Sequence, residues 1–135
     1  MGSGSAETYH GKPGTEVTVD VNADQVSASE FDGIVIPGGY APDKMRRYPK
    51  MVNLVVDLYE AGKVVAAICH AGWMLASAKI LQGRSVTSVS AIKDDLVHAG
   101  ASWVDQEVVV DGNLITSRTP DDLPAFMRAI IEALR

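Results

Sequence analysis

One residue of this chain is suited by type and position to nucleophilic chemistry, and it is the single cysteine, Cys69. Cys69 follows an unbroken apolar run and precedes a predicted helix, so we expect it at a sharp turn from strand to helix. Such a turn lifts its central side chain above the sheet. The first amide groups of the helix then favour the thiolate and can stabilise an oxyanion. His70 comes next and could serve as a base or ion-pair partner.

Two glycines end the preceding apolar run and could complete such a site. Gly38 and Cys69 both follow predicted strands that we expect to be neighbours, and ligands bind beyond the carboxyl ends of the strands in an open parallel sheet. A glycine at position 38 or 39 would let a backbone amide approach developing negative charge closely. Each feature has a plainer interpretation, because a lone cysteine is often a small buried hydrophobic residue and two glycines often form only a turn.

The segments that must position these residues alternate between strands and helices, which is typical of a parallel sheet with helices on both faces. The run at residues 33–36 predicts a strand covered on both faces. Hydrophobic patterns predict the other strands at 17–21 (half-buried), 64–68 and 85–89, and helices at 51–59, 72–79, 91–98 and from 120 onward. Asp111 and Gly112 predict the turn of a hairpin formed by residues 107–110 and 113–116. Ser90 and Thr119 are the expected helix caps.

Length and composition restrict the chain to a few classes of protein. Its 135 residues, 47% hydrophobic and 21% charged, suit one soluble globular domain, which we place at residues 9–135 after a leader at 1–8. A net charge of −5 argues against a nucleic-acid partner. One cysteine permits neither an intrachain disulfide nor a cysteine-based zinc cluster, so we expect a reducing, cytoplasmic setting. The longest apolar run, residues 64–68, is too short to span a membrane.

Several motifs, in order and with consistent spacing, make the sequence similar to the ThiJ/PfpI family of the class I glutamine amidotransferase-like superfamily. They are IPGG at residues 36–39, AICHAG at 67–72, IKDD at 92–95 with HAG at 98–100, and TSRTPDDL at 116–123. The linked set is specific, whereas no single motif is. The resemblance implies an α/β, flavodoxin-like three-layer sandwich with a mostly parallel sheet and a β-hairpin before the C-terminal helix.

The resemblance also implies roles for individual residues. Cys69 would be the nucleophile and His70 its neighbour in the site. The implied oxyanion hole consists of the backbone amides near Gly38, Gly39 and Ala71. The weaker candidates for substrate binding are the side chains of Tyr40, Arg118 and Asp121. Members of the family are commonly dimers or larger, and an acidic residue of a neighbouring subunit can complete the site. No cofactor and no metal are expected.

Two departures from the family pattern bear on activity. Family members begin with a β-α-β unit that has no counterpart here, and that unit carries a glutamate that hydrogen-bonds the reactive cysteine. A tyrosine often found near the site corresponds to Val89. Without the first unit, we expect the strand at residues 33–36 to become an apolar sheet edge. Through that edge the chain would self-associate, exchange elements with a partner or bind a separate N-terminal fragment.

The remaining polar and aromatic residues have plainer explanations. The segment that follows Gly38 and Gly39 contains four cationic residues, namely Lys44, Arg46, Arg47 and Lys50. They could attract a carboxylate substrate, but charges solvated at the surface are the better explanation. We also expect an ion pair between Arg118 and Asp121. Trp73 and Trp103 are expected to pack against their neighbours.

Three functional hypotheses follow. The leading one is a cysteine-dependent, PfpI-type hydrolase or deglycase-like stress protein that attacks the carbonyl of a peptide, an amide or an α-oxoaldehyde adduct. The second is a redox-sensing stress or chaperone-like protein whose Cys69 is oxidised without turnover. The third is an inactive truncated or engineered scaffold. The expected partners are a small carbonyl or peptide substrate and further copies of the chain, with neither nucleic acid nor membrane.

Overall fold

The computed structural model describes residues 1–11 and 14–135. Within that part of the chain there are eight strands and five α-helices, joined in places by short 3-10 turns. In chain order they are β1 (Thr8–His10), β2 (Glu16–Thr18), β3 (Gly33–Ile36), α1 (Ala41–Met45), α2 (Pro49–Glu60), β4 (Val64–Ile68), α3 (Gly72–Ser77), β5 (Ser85–Val86), α4 (Lys93–His98), β6 (Ser102–Trp103), β7 (Val108–Asp111), β8 (Leu114–Ser117) and α5 (Leu123–Ala133).

The central sheet has four strands in the order β3-β4-β8-β7. The first three run parallel, whereas β7 pairs antiparallel with β8. One face of the sheet packs against α2 and α3, and the other packs against α5. This arrangement confirms the predicted three-layer, mostly parallel, flavodoxin-like α/β class, and the β7–β8 hairpin directly precedes the last helix as predicted.

The strand β4 lies between two hydrophobic cores, and all five of its residues are buried. Its side chains alternate between the cores because successive residues of a strand point to opposite faces. Val65 and Ala67 join the core beneath α2 and α3, whereas Val64, Ala66 and Ile68 join the core beneath α5. Burial on both faces fixes the end of β4, and therefore the position of the residue that follows it.

In the described part of the chain, β3 lies at one edge of the sheet. Ile36 is buried but Val35 is 50% exposed, so the prediction that both faces of this strand are covered is wrong. The edge position itself was expected. Val35 pairs in register with Ala66, whose side chain faces α5, so Val35 lies on the α5 side of the sheet.

Two strand predictions are wrong in extent. The predicted half-buried strand at 17–21 is β2, only three residues long and exposed throughout, because it belongs to a two-stranded ribbon with β1. The predicted strand at 85–89 is the two-residue β5, which pairs with the unpredicted strand β6. The ladder stops after β5 because the Thr87 amide donates to the Thr116 side chain at 2.9 Å instead of to a strand.

Two turn predictions also need correction. Ser90 does not cap a helix; it begins the 3-10 turn Ser90–Ile92 that leads into α4. The hairpin loop lies one residue later than predicted, because Asp111 pairs with Leu114 and Gly112 takes a φ of +60° within the loop. Thr119 does occupy the predicted capping position, at the start of the turn Pro120–Asp122 before α5.

The first residues contact the domain. Gly2 forms an isolated parallel bridge with Asn22, and its amide donates to the Val21 carbonyl at 2.8 Å. The division of the chain between residues 8 and 9 stays a prediction. Among the described helices, none is long and apolar enough to cross a membrane.

Candidate active site

The backbone at Cys69 has an unusual conformation. The chain leaves β4 at Ile68 and enters the 3-10 turn Cys69–Ala71, which continues into α3. Cys69 has a φ of +62°, in the left-handed region that residues other than glycine seldom adopt. The predicted sharp turn from strand to helix is therefore present, and its first residue is strained. Strain of this kind persists only where the surrounding structure holds it, and it is concentrated at functional sites.

Gly38 lies against Cys69. A Cβ atom added at Gly38 would be 2.6 Å from the Cys69 Cβ, which is closer than such atoms can pack, and 3.3 Å from its Sγ, a tight contact. Only glycine therefore permits this approach. The neighbouring Gly39 has a φ of +71°, and its amide N–H donates to no group among the described residues. The diglycine and the cysteine are thus brought together at the carboxyl ends of β3 and β4, as expected.

His70 contacts both the cysteine and an aromatic ring. Its Nδ1 atom lies 3.4 Å from the Cys69 Sγ, within hydrogen-bond range for sulfur. Its ring centroid lies 5.2 Å from that of Trp73, with the two planes at 60°. Cys69 is only partly buried. Cys69 therefore has an imidazole beside its sulfur, an arrangement in which the imidazole can accept the thiol proton.

Trp73 belongs to a group of contacts that the sequence interpretation missed. Its Nε1 donates to the Asp95 carboxylate on α4 at 2.8 Å, and the Arg46 guanidinium lies 5.7 Å from its ring centroid. Arg46 also donates from Nε to the Ser77 hydroxyl at 2.9 Å, so it is not merely a solvated cation. The spacing of His70 and Trp73, three residues apart on a helical turn, was the available signal for their contact.

The remaining predicted site residues lie at different places around the carboxyl ends of the central strands. Ala71 is fully buried in the turn, whereas Tyr40 is 77% exposed at the start of α1. The helix α1 packs against the turn that carries Cys69. Arg118 directly follows Ser117, which pairs in register with Ile68, so Arg118 and Cys69 leave neighbouring strands at the same sheet edge.

The predicted Arg118–Asp121 pair is wrong. Arg118 binds Asp122 through Nε and Nη2, at 2.8 and 2.9 Å, and Asp105 through Nη1 at 2.9 Å. Asp121 is exposed, because on the first turn of this segment the next residue faces inward instead. The hydrogen bonds from Arg118 hold the pKa of Asp122 below its usual range, and the bonds to Asp122 and Asp105 raise the pKa of Arg118.

Among residues 1–11 and 14–135, no three His, Cys, Asp or Glu side chains cluster in an arrangement that could hold a metal ion. The expectation that the site needs neither metal nor cofactor stays a prediction. The groups at the candidate site are a thiol, an imidazole and backbone amides.

Comparison with protein families gives one match over nearly the whole chain. The DJ-1/PfpI family matches residues 2–133. Among curated proteins, the chain is 48% identical to a deglycase of Pyrococcus horikoshii over 128 residues, covering 95% of this chain and 77% of that protein. It is 47% identical to protein/nucleic acid deglycase 2 of Escherichia coli, covering 97% and 76%. It is 46% identical to general stress protein 18 of Bacillus subtilis, covering 95% and 76%.

Solved structures give the same result. A two-domain protein of Anabaena variabilis, with DJ-1/ThiJ/PfpI-like and ferritin-like domains, superposes with a TM-score of 0.96 at 47% identity. The match covers 99% of this chain and 40% of that one. Drosophila melanogaster DJ-1beta superposes with a TM-score of 0.86 at 33% identity, over 95% of this chain and 70% of that one.

Proposed function

This chain belongs to the DJ-1/PfpI family, and from that membership and the geometry at Cys69 we propose that it is a cysteine-dependent enzyme acting on carbonyl substrates. The substrate class is a deglycase's, an α-oxoaldehyde adduct of an amine or thiol, or else a peptide or amide carbonyl. The observation that carries the proposal is the strained Cys69, partly exposed, with the His70 Nδ1 at 3.4 Å and Gly38 in contact. Two relatives named as deglycases support the choice of substrate class.

The proposed reaction begins with the Cys69 sulfur. His70 accepts the thiol proton while Sγ forms a bond to the carbonyl carbon. The amides of Gly39 and Ala71 stabilise the resulting oxyanion. With an amide substrate, His70 then gives its proton to the leaving amine as the carbon–nitrogen bond breaks, and water hydrolyses the thioester. With an α-oxoaldehyde adduct, the aldehyde-derived carbon carries a hydroxyl group and is no longer a carbonyl, so Sγ bonds to it by displacement. The bond from that carbon to the amine or thiol breaks as His70 returns its proton to the leaving group. The remaining hemithioacetal on Cys69 then breaks its carbon–sulfur bond, which releases the α-oxoaldehyde and restores the thiol.

The test of this proposal is turnover that depends on the sulfur. The purified chain is assayed with a methylglyoxal adduct of an N-acetylated amino acid and with a peptide substrate. We expect Cys69→Ala to lower the rate by about 10³-fold or more, because removing a nucleophile leaves only binding and oxyanion contacts. His98→Gln is the matched control, since His98 lies exposed at the end of α4.

The redox-sensing alternative is supported by the partial exposure of Cys69 and by the stress-protein name of one relative. It predicts stoichiometric oxidation of Cys69 by hydrogen peroxide, detected by mass spectrometry, with no turnover of either substrate. Neither turnover nor oxidation, in a chain whose circular dichroism shows an intact fold, would leave the inactive scaffold as the remaining interpretation.

We further propose that the chain works as a homo-oligomer in the cytoplasm, associating through β3. The four residues of this edge strand carry no charge, and Val35 is half exposed on the α5 side. On the same face of the sheet, α5 exposes Leu123, Met127 and Ile131 by 42–50% each. An uncharged strand edge favours pairing with another chain, and exposed apolar helix surface is further area that association can bury.

A further inference from the structure

Trp73 is partly buried against the core beneath α2 and α3, and polar or charged side chains hold its ring on more than one side. Its Nε1 donates to the Asp95 carboxylate at 2.8 Å, which ties α3 to α4. The Arg46 guanidinium lies over its ring, and Arg46 is itself fixed by a hydrogen bond to Ser77. The two contacts come from α4 and from the end of α1, both outside the helix that carries Trp73. The indole orientation is therefore set by the surrounding structure.

The polar interactions of the His70 side chain, by contrast, are weak. Its polar contact among the described residues is the 3.4 Å approach of Nδ1 to the Cys69 sulfur, and a thiol is a weak hydrogen-bonding group. A single weak contact does not fix both side-chain torsions of a histidine on a partly exposed turn. The second contact is the Trp73 ring, at 5.2 Å and 60°, a tilted geometry that aromatic pairs prefer.

We infer that Trp73, locked by Asp95 and Arg46, is the positioning residue that holds the His70 imidazole with Nδ1 toward the Cys69 sulfur. The inference rests on the proposed function, because it assigns to Trp73 the accuracy of the proton transfer between those two residues. Small displacements of a catalytic group have large kinetic effects. Trp73 itself would touch neither the reacting carbon nor the sulfur, so its loss should lower kcat and leave KM little changed.

The chain offers a matched control for this tryptophan. Trp103 also donates from Nε1, to the Ser88 hydroxyl at 2.9 Å, and also has a cation over its ring, Lys93 at 5.2 Å. It differs in having no contact with His70 among the described residues. Trp103→Phe therefore reproduces the chemical change of Trp73→Phe away from the candidate site.

Four variants of the full-length chain test the inference: Trp73→Ala, Trp73→Phe, Asp95→Ala and Asp95→Asn. Trp73→Ala is expected to lower kcat by up to about 100-fold. Trp73→Phe keeps an aromatic ring and should recover most of that loss. Asp95→Ala frees the indole and should lower kcat, whereas Asp95→Asn keeps an acceptor oxygen and should behave like the wild type. Trp103→Phe should change nothing.

Two further readouts do not depend on turnover. The rate of Cys69 alkylation by iodoacetamide, at fixed pH, should fall in Trp73→Ala and not in Trp103→Phe. The side-chain resonances of His70, identified by their absence in His70→Gln, should shift in Trp73→Ala and Asp95→Ala. If the wild type shows no turnover, the proposed function fails, and these two readouts alone decide the inference.

The inference would be overturned by any of three results in variants that remain folded by circular dichroism. The first is a loss of kcat in Trp73→Ala that is no greater than the losses in Trp73→Phe and Trp103→Phe. The second is a change in KM alone, which would place Trp73 in substrate binding. The third is unchanged His70 resonances in both Trp73→Ala and Asp95→Ala. Should Trp73→Ala fail to fold, the exposed Asp95 provides the decisive pair of variants.

Discussion

Cys69 is held in a backbone conformation that costs free energy. A non-glycine residue with a φ of +62° carries a penalty of about 1–2 kcal/mol relative to ordinary backbone. The fully buried strand β4 before it and the buried Ala71 after it supply the packing that maintains it. The consequence is a side chain presented at the sheet edge, where Gly38 and His70 meet it. The strained backbone of Cys69 and the close approach of Gly38 therefore have one structural cause.

The close approach of Gly38 gives a prediction at this scale. Gly38→Ala places a methyl group 2.6 Å from the Cys69 Cβ and 3.1 Å from the Ile68 carbonyl oxygen, and neither atom can move without moving β4. We expect the free energy of unfolding to be about 1–3 kcal/mol lower than in the wild type. We also expect slower Cys69 alkylation, because the strand-to-helix turn that carries Cys69 must shift. Urea unfolding and iodoacetamide labelling measure the two effects.

Gly83→Ala is the control for Gly38→Ala. Gly83 has a φ of +73° but open space around the added carbon, so the substitution costs backbone free energy without touching Cys69. It should lower stability by about 1 kcal/mol and leave the alkylation rate unchanged. Equal alkylation rates in Gly38→Ala and the wild type would show that the contact does not position the sulfur.

At the scale of elements, the start of α5 is fixed by a charged cluster. Asp122 is buried and accepts two hydrogen bonds from Arg118, one on each carboxylate oxygen, and Oδ2 also accepts from the Thr119 amide at 3.4 Å. Arg118 also reaches the exposed Asp105 in the loop before β7. The cluster joins the end of β8, the following 3-10 turn and the preceding loop. It therefore fixes the direction in which α5 leaves the sheet.

Asp122 gives a pH-dependent prediction. Because Arg118 lowers the pKa of Asp122 in the folded chain from the ordinary value of 3.8, ionised Asp122 stabilises the fold above that ordinary value. The stabilisation is lost as pH falls below 3.8 and through the folded-state pKa. We therefore expect Asp122→Asn to lower the unfolding free energy at pH 7, with the difference from the wild type shrinking in that acid range.

Urea unfolding from pH 7 to pH 3 measures this difference. Asp121→Asn is the control, because Asp121 is exposed in the same turn and does not contact Arg118. It should not change the pH profile. A pH-independent difference between Asp122→Asn and the wild type would mean that side-chain size, and not ionisation, is what matters at this position.

The success of the sequence interpretation differs between elements for physical reasons. The strand β4 and the helix α2 were predicted closely, because each buries a pattern that only one structure satisfies: an apolar run on two faces, and a stripe at helical spacing that ends before Gly62. β5 and β6 have two residues each, too few to show any period. Their pairing depends on contacts distant in the sequence.

The candidate site shows the same limit. The sharp turn at Cys69 was predicted because an apolar strand there is followed by a helix. The nearness of Gly38 was predicted because the two strands that end at Gly38 and Cys69 were expected to be neighbours. The partner of Arg118 was not predicted correctly, because adjacent acids at 121 and 122 differ only in which one faces inward. The hydrogen bond between Trp73 and Asp95 joins residues that are 22 positions apart in the sequence, and neither residue type predicts the other as its partner.

At the scale of the whole molecule, the central sheet is unevenly protected. Its β7 edge lies beside β5, whereas β3 has no further strand along its outer side in the described residues. The edge is short but uncharged, and natural edge strands are usually protected by charge, proline or a covering element. Gly38 lies two residues beyond the carboxyl end of this edge strand. Association through β3 would therefore bring another chain close to Cys69.

Val35 provides the test of that association. Val35→Lys places a charge on the exposed side of β3, where two copies would repel and a paired neighbour would bury the ammonium group. We expect the wild type to show a mass above that of a monomer in light scattering and sedimentation, rising with concentration. The variant should associate about tenfold more weakly or worse, a difference of about 1.4 kcal/mol.

The opposite edge of the sheet distinguishes strand pairing from general stickiness. Val110 on β7 is 56% exposed, much like Val35, so Val110→Lys adds the same charge to the other edge strand. If apolar exposure alone caused association, the two lysines would weaken it equally. If β3 is the interface, only Val35→Lys does so, and it also changes the alkylation rate of Cys69 at concentrations where the wild type is associated. A compact monomer at every concentration would exclude the interface, because an unprotected apolar edge would then be stable alone.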